Sequence, residues 1–189
     1  DTRLRDGGRL ERDSSERSNS SLYTDPVPEA LEPGTDPVAP QVWILRDPRE
    51  SVKKCSLTPL RGMEGVHFST YHRDRTIDVG ERALLDPNGT ELSERDRGLG
   101  LLVIDCAWRR VDALQRTVKG TLHRRRLPHL VTAYPRKSRI FEDPPTGLAS
   151  VEALYAAVFL LFGPRPEFLE GYRWREEFLE LNPWLDPAR

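Results

Sequence analysis

A chain of 189 residues is long enough for one good core, or for one domain with a tail. Charged residues make up 31% of it yet nearly cancel, to a net charge of -1, so the whole molecule is no polycation and any nucleic-acid surface must be a local patch. Cys55 and Cys106 lie far apart, and with four scattered histidines they form neither a zinc spacing nor a disulfide framework. No apolar run is long enough to span a membrane, and the start of the sequence shows no hydrophobic signal region, so the expectation is a cytoplasmic protein without metal or membrane partner.

Residues 1–40 read as a disordered tail. Arg, Asp, Glu, Ser and Gly dominate its first half, with Pro26, Pro28, Pro33, Pro37 and Pro40 in the second, and too few apolar side chains offset the ordering entropy. Folding is expected from Gln41, with Val42–Leu45 as a first strand stopped by Asp47-Pro48. Lys53-Lys54-Cys55-Ser56 then forms a loop that either cradles an anionic ligand or is a solvated turn. Cys55 has no histidine near it in sequence, which does not indicate a nucleophile. Val66–Ser69 and Ala83–Leu85 are short strand candidates, Asp86-Pro87-Asn88-Gly89 is a turn, and Ser93, Glu94 and Asp96 begin a helical turn.

The chain is organised around residues 100–108, GLLVIDCAW. The continuous apolar run Leu101–Ile104 suits a central parallel strand buried on both faces. Its carboxyl end carries Asp105, Cys106 and Trp108, at the sheet edge where ligands of open α/β sheets bind. The competing expectation is that Asp105 caps the next helix and Trp108 fills the core. Val111, Leu114 and Val118 then predict a helix ended by Gly120. A strand over His129–Tyr134 follows, with Arg124, Arg125 and Arg126 before it and Arg136, Lys137 and Arg139 after it. These cations suit phosphate contacts or an ordinary solvated face. After a Pro-rich loop at Asp143–Gly147, Ser150–Phe162 predicts a buried helix with Ser150 as N-cap and Glu152 complementing its N-terminus, stopped by Gly163-Pro164. A last helix is expected from Pro166 to Leu181. Without a P-loop, GxGxxG, HExxH or GxSxG, spacing alone stops at a small α/β domain with a basic patch.

Several separated stretches, in order from about Val42 to Asn182, resemble the small-subunit rRNA aminocarboxypropyltransferases. Lys54-Cys55-Ser56 and the following Leu57-Thr58-Pro59-Leu60 are similar to that family's KC[ST]GKKL segment, and Leu85-Asp86-Pro87 with Ser93 and Asp96 to its LSP…S..D segment. Val103-Ile104-Asp105-Cys106-Ala107-Trp108 matches V[VI]DCSW with one substitution, and Arg125–Pro135 retains the first part of RxLPxLxAANPVNYG. Leu148–Val158 resembles the LSxVEA helix, and Tyr172–Asn182 resembles the family's FxWGxxFlxlN end. Two departures stand out: Tyr134-Pro135-Arg136-Lys137-Ser138-Arg139 replaces NPVNYG, and Leu57, Thr58 and Pro59 replace the glycine and lysines of GKKL.

The resemblance implies an α/β fold with a SPOUT-like parallel sheet, helices on both faces, a C-terminal trefoil knot and a small N-terminal α/β portion. Residues 41–97 would assist substrate and cofactor, and residues 98–189 would form the knotted cofactor-binding portion. It implies S-adenosyl-L-methionine as co-substrate, contacted at Ser56, Ile104, Leu130, Thr146 and Ser150, with Asp105 and Trp108 at the reacting end. Asp105 would serve as base or as electrostatic partner of the sulfonium. Lys53, Lys54, Arg124, Arg125, Arg126, Arg136, Lys137 and Arg139 would hold rRNA of a small ribosomal subunit precursor, the protein acting as a monomer. The implied reaction moves the 3-amino-3-carboxypropyl group to a uridine or pseudouridine and releases methylthioadenosine. The alternatives are a non-catalytic RNA-binding or ribosome-assembly factor that retains the fold, favoured by the altered NPVNYG stretch, a tRNA aminocarboxypropyltransferase, and an ordinary methyltransferase.

Overall fold

Five parallel strands form one sheet in the order β2-β1-β4-β3-β5. They are β1 (Val42–Arg46), β2 (Val66–Thr70), β3 (Ile77–Glu91), β4 (Gly100–Asp105) and β5 (Val118–Arg126). The computed structural model describes residues 40–52, 55–135, 147–186 and 188, so the tail expected over 1–40 lies, but for Pro40, outside the described residues. The apolar run Leu101–Ile104 is the middle strand, paired on one side with β1 and on the other with β3. A parallel strand flanked on both sides has no free edge and two covered faces, which is why its sequence lacks polar alternation.

Side chains still alternate. Val42 and Ile44 of β1 and Leu101 and Val103 of β4 enter the larger core, while Trp43 and Leu102 enter a smaller one on the other face with Val79 and Leu84. Helix α2 (Ser150–Phe162) covers the larger face with Leu154, Tyr155, Val158 and Leu161, all buried. Short α1 (Val111–Gln115) and α3 (Arg175–Leu181) complete the regular helices. The period of two then puts Asp105, which follows Leu101 and Val103, on the face of α2.

Several expectations need correction. The turn at Asp86–Gly89 is a bulge inside β3: Leu85 and Thr90 both pair with Arg125, and the Asn88 N–H donates to Asp86 Oδ1 at 2.9 Å. The helix expected to reach Gly120 ends at Gln115, and the chain re-enters the sheet as β5, which contains the basic triplet. Gly120 has φ +123, and a Cβ there would lie 2.1 Å from the Gly80 carbonyl oxygen, so only glycine allows the two strands to approach. The strand expected at His129–Tyr134 is irregular. The expected last helix is split into a 3-10 turn at Pro166–Leu169 and α3, with Gly171 at φ 72 between them. The N-cap of α2 is Ala149, not Ser150.

Candidate active site

The carboxyl end of β4 is a buried polar cluster. The register places Arg46 of β1 beside Asp105. Asp105 Oδ1 accepts the Ser150 hydroxyl at 2.8 Å, Oδ2 accepts the Cys55 thiol at 3.2 Å, and Arg46 Nε lies 3.6 Å from Oδ2. Arg46 Nη2 donates to the Glu50 carbonyl at 2.8 Å, while its buried Nε makes no hydrogen bond. A second pair, Asp47 with Arg110, ties the ends of the same two strands, and Arg110 also stacks over Tyr71. Asp105 does not cap the 3-10 turn Trp108–Arg110, whose N-cap residue is Ala107 and has no side-chain bond.

Both thiols beside this cluster are held in the neutral form. Burial, then the neighbouring Asp105 carboxylate, pushes Cys55 up. Burial, then Asp47 and Asp105, pushes Cys106 up to about 12. Neither cysteine has thiolate character, so neither is a nucleophile at neutral pH.

Trp108 does not fill the core. It is 37% exposed and lines a cavity of about 270 Å³. The wall is mostly apolar, with Leu85, Pro87, Leu127, Pro128, Leu130 and Leu148, and Asp86, Arg125, Arg126 and His129 supply polar atoms. That volume is near the lower end of the roughly 300–1,000 Å³ usual for small-molecule sites. Apolar faces suit a purine and the methylene groups of the methionine chain, and the few polar groups suit its amino-acid end, so the lining fits those parts of S-adenosylmethionine chemically.

Of the residues singled out in sequence, the structure brings Trp108, Leu130, Arg125 and Arg126 to the cavity and joins Asp105 directly to Ser150. Ser56 follows Cys55 in the polar cluster's loop and is half-buried, whereas the Ile104 side chain packs on the opposite face of the sheet. Ser56, Ile104, Asp105 and Ser150 do not themselves line the cavity; Trp108 follows Asp105 by three residues and Leu148 precedes Ser150 by two. Arg124 pairs with Asp86 at 2.9 Å, Arg125 with buried Asp96 at 2.8 Å, and Arg126 with Glu91 at 3.1 Å. Lys53, Lys54, Arg136, Lys137, Arg139 and Thr146 lie outside the described residues. Among the described residues no cluster of metal-ligating side chains occurs.

Sequence reasoning missed Arg46 and underrated two buried residues. Glu152 was expected only to complement the α2 N-terminus, yet it is fully buried and accepts four hydrogen bonds. Asn182 was expected only to end a helix, yet it brackets Val131. The carboxylates that answer the arginine triplet, Asp86, Glu91 and Asp96, were the available sign that these cations belong to a paired strand.

The fold and site define an α/β ligand-binding protein whose cavity lies next to the carboxyl edge of a parallel sheet. The family described as ribosome biogenesis protein, C-terminal, matches residues 83–185. A 16S rRNA aminocarboxypropyltransferase of Vulcanisaeta distributa is 31% identical over 154 residues, covering 76% of this chain and 78% of that protein. One from Methanopyrus kandleri is 35% identical over 106 residues, covering 52% of this chain and 60% of its own length. An 18S rRNA aminocarboxypropyltransferase of Saccharomyces cerevisiae is 33% identical over 139 residues, covering 70% and 42% respectively, so the chain spans less than two thirds of these last two relatives. The solved structure of the SAM-dependent rRNA:acp-transferase Tsr3 from Vulcanisaeta distributa matches with a TM-score of 0.59 at 29% identity, over 77% of this chain and 79% of that one. The chain belongs to the rRNA aminocarboxypropyltransferase family. Among the described residues no helix is long and apolar enough to cross a membrane.

Proposed function

We propose that this protein transfers the 3-amino-3-carboxypropyl group of S-adenosylmethionine to a pyrimidine ring nitrogen of small-subunit rRNA. The observation that carries the reading is the cavity walled by Trp108, Leu130 and Leu148, two of which lie within three residues in sequence of the hydrogen-bonded Asp105–Ser150 pair, in a chain with this family membership. S-adenosylmethionine brings a sulfonium, a leaving group that needs no acid from the protein. The ring nitrogen's lone pair forms the new bond to the methylene carbon, the C–S bond breaks, and its electron pair stays on sulfur in methylthioadenosine. The ring N–H proton leaves to water or a nearby base. The chain's task is therefore to orient and to exclude water.

Asp105 fits the electrostatic role better than that of a base. Both its oxygens already accept hydrogen bonds, from Ser150 and Cys55, and Arg46 stands beside one of them. Trp108, on the cavity wall, selects which carbon of the co-substrate faces the acceptor. Arg124 and Arg126, exposed on the edge strand β5, exchange their carboxylate partners for RNA phosphates, joined by Lys53, Lys54, Arg136, Lys137 and Arg139. Arg125 stays bound to Asp96. Ser56 and Ile104, which do not line the cavity, serve the Asp105 end of the co-substrate rather than the part held in the cavity, and Thr146 completes the cofactor contacts.

The reading includes the finer points of the fold: helices on both faces, a trefoil knot formed through residues 130–150, an assisting portion at 41–97 and a binding portion at 98–189. The working form is a cytoplasmic monomer. Mass spectrometry of host small-subunit rRNA, with and without this protein, tests the activity. An aminocarboxypropyl adduct that disappears with the protein, and methylthioadenosine released in vitro, are expected. RNA retention without turnover would select the non-catalytic assembly factor, and release of adenosylhomocysteine would select a methyltransferase.

A further inference from the structure

The cavity wall at Leu130 belongs to a stretch that no strand supports. From Leu127 to Pro135 the backbone is irregular, yet at Val131 and Ala133 side chains answer its polar groups. Asn182 Oδ1 accepts the Val131 N–H at 2.9 Å and its Nδ2 donates to the Val131 carbonyl at 2.8 Å, the two-point contact a neighbouring strand would have made. The same Nδ2 donates to the Phe178 carbonyl at 2.8 Å, which fixes the amide at the end of α3. One residue further on, Glu152 takes over. Its Oε1 accepts the Ala133 N–H at 2.9 Å and the Tyr172 hydroxyl at 2.9 Å. Its Oε2 accepts the Thr132 hydroxyl at 2.6 Å and the Ala149 N–H at 2.8 Å.

Glu152 is 0% exposed and Asn182 3% exposed. A buried carboxylate without a cation is costly unless hydrogen bonds satisfy it, and here all four partners are neutral donors. Two of them are backbone N–H groups on different segments. Ala133 follows the wall residue Leu130 by three, and Ala149 follows the wall residue Leu148 by one. One carboxylate thus ties the Leu130 and Leu148 segments of the cavity wall to each other.

We propose that Glu152 and Asn182 are positioning residues that set the width of the S-adenosylmethionine cavity, Glu152 by clamping Thr132–Ala133 to Ala149 and Asn182 by clamping Val131 to the end of α3 at Phe178. The assignment of the ligand rests on the proposed function; the clamp itself is a property of the unliganded protein. In Glu152→Gln one oxygen becomes an NH2 group, which faces a backbone N–H that cannot reverse. In Asn182→Asp the donor to Val131 and Phe178 becomes a second acceptor. For a protein that retains its circular dichroism, each change should weaken S-adenosylmethionine binding by tenfold or more in calorimetry. KM for S-adenosylmethionine should rise while binding of an rRNA fragment is unchanged. A purely structural loss would lower the active fraction and leave KM alone. Amide hydrogen exchange of the unliganded protein should quicken at 131–133 in both variants, and at 149 in Glu152→Gln, ahead of the sheet. Wild-type affinity in a folded variant, or unchanged exchange there, overturns the clamp. If Glu152→Gln does not fold, Asn182→Asp decides by the same two measurements. If the wild type itself does not bind S-adenosylmethionine, the functional reading fails and the exchange result still judges the clamp.

Discussion

Two carboxylates meet at the first turn of α2, and they are held in opposite ways. Asp105 receives a hydroxyl and a thiol and stands next to the Arg46 guanidinium. Glu152 receives two backbone N–H groups, a threonine hydroxyl and a phenol, and no cation. A hydroxyl or thiol can turn and accept instead of donate; a backbone N–H cannot. The Asp105 cluster is therefore adaptable in its hydrogen bonds and committed in its charge, while the Glu152 cluster is the reverse. The first suits a group that responds to a charged ligand, the second a group that fixes a shape.

The largest expected effect tests that contrast directly. Glu152→Gln should orphan one buried N–H and lower stability by about 2 kcal/mol, within the ~1–3 kcal/mol cost of an unsatisfied buried donor. Ser150→Ala should cost about 1 kcal/mol or less, because it removes one neutral donor and leaves the Asp105–Arg46 pair intact. Urea unfolding of the two variants measures the difference, and equal midpoints would erase the distinction. Activity should show the opposite order, with Ser150→Ala losing more of kcat at saturating S-adenosylmethionine.

Next in size is Trp108→Ala. A side chain already 37% exposed on a cavity wall contributes little to folding. Affinity for S-adenosylmethionine should drop about tenfold, roughly 1.4 kcal/mol, with an unfolding midpoint close to wild type. A large stability loss with intact affinity would return Trp108 to the core and leave the Asp105 side without a cavity residue.

What the sequence reveals divides along similar lines. β4 and α2 are legible because each is a dense apolar run with a clear stop, Asp105 for one and Gly163 at φ 81 for the other. β5 is not, since Val118 continues by coincidence the helical spacing that Val111 and Leu114 follow in α1, and the glycine that looks like a helix stop is where β5 passes Gly80. The stretch His129–Tyr134 has strand composition, but Asn182 and Glu152 satisfy it in place of a neighbouring strand, and that depends on residues up to about fifty positions away. Asp105, Trp108, Leu130 and Ser150 were legible as site candidates through the family motifs. Arg46 was not, because only the β1–β4 register sets it beside Asp105.

The arginine triplet offers a smaller contrast of the same kind. Arg125 is tied to Asp96, which is itself buried and bonded to the Ser93 N–H at 3.0 Å, whereas Arg126 holds the exposed Glu91 at the sheet edge. Surface pairs of this sort contribute about 0–1 kcal/mol. Arg126→Ala should leave stability near wild type and reduce the slope of log affinity for RNA against log salt by roughly 0.7–0.9, one phosphate's share. An unchanged slope would remove β5 from the RNA surface.

The smallest effect is alkaline, and it separates the two clusters by pH. Cys106, beside Asp105, has its thiol pushed up from 9.0 to about 12, mainly by burial. Tyr172, against Glu152, is pushed up from 10.0, again mainly by burial and then by the carboxylate. In both cases the native state keeps a proton that the unfolded chain releases. The contribution is fully present below the ordinary pKa, and stability falls as pH rises through the interval between the two values. The thiol's share should begin to disappear near pH 9 and the phenol's near pH 10. Urea midpoints from pH 8 to 11 should thus decline less steeply from the start in Cys106→Ala, and only in the upper part of the range in Tyr172→Phe. If both substitutions flatten the same interval, the Asp105 and Glu152 clusters titrate as one unit and the division between an adaptable site and a rigid one does not hold.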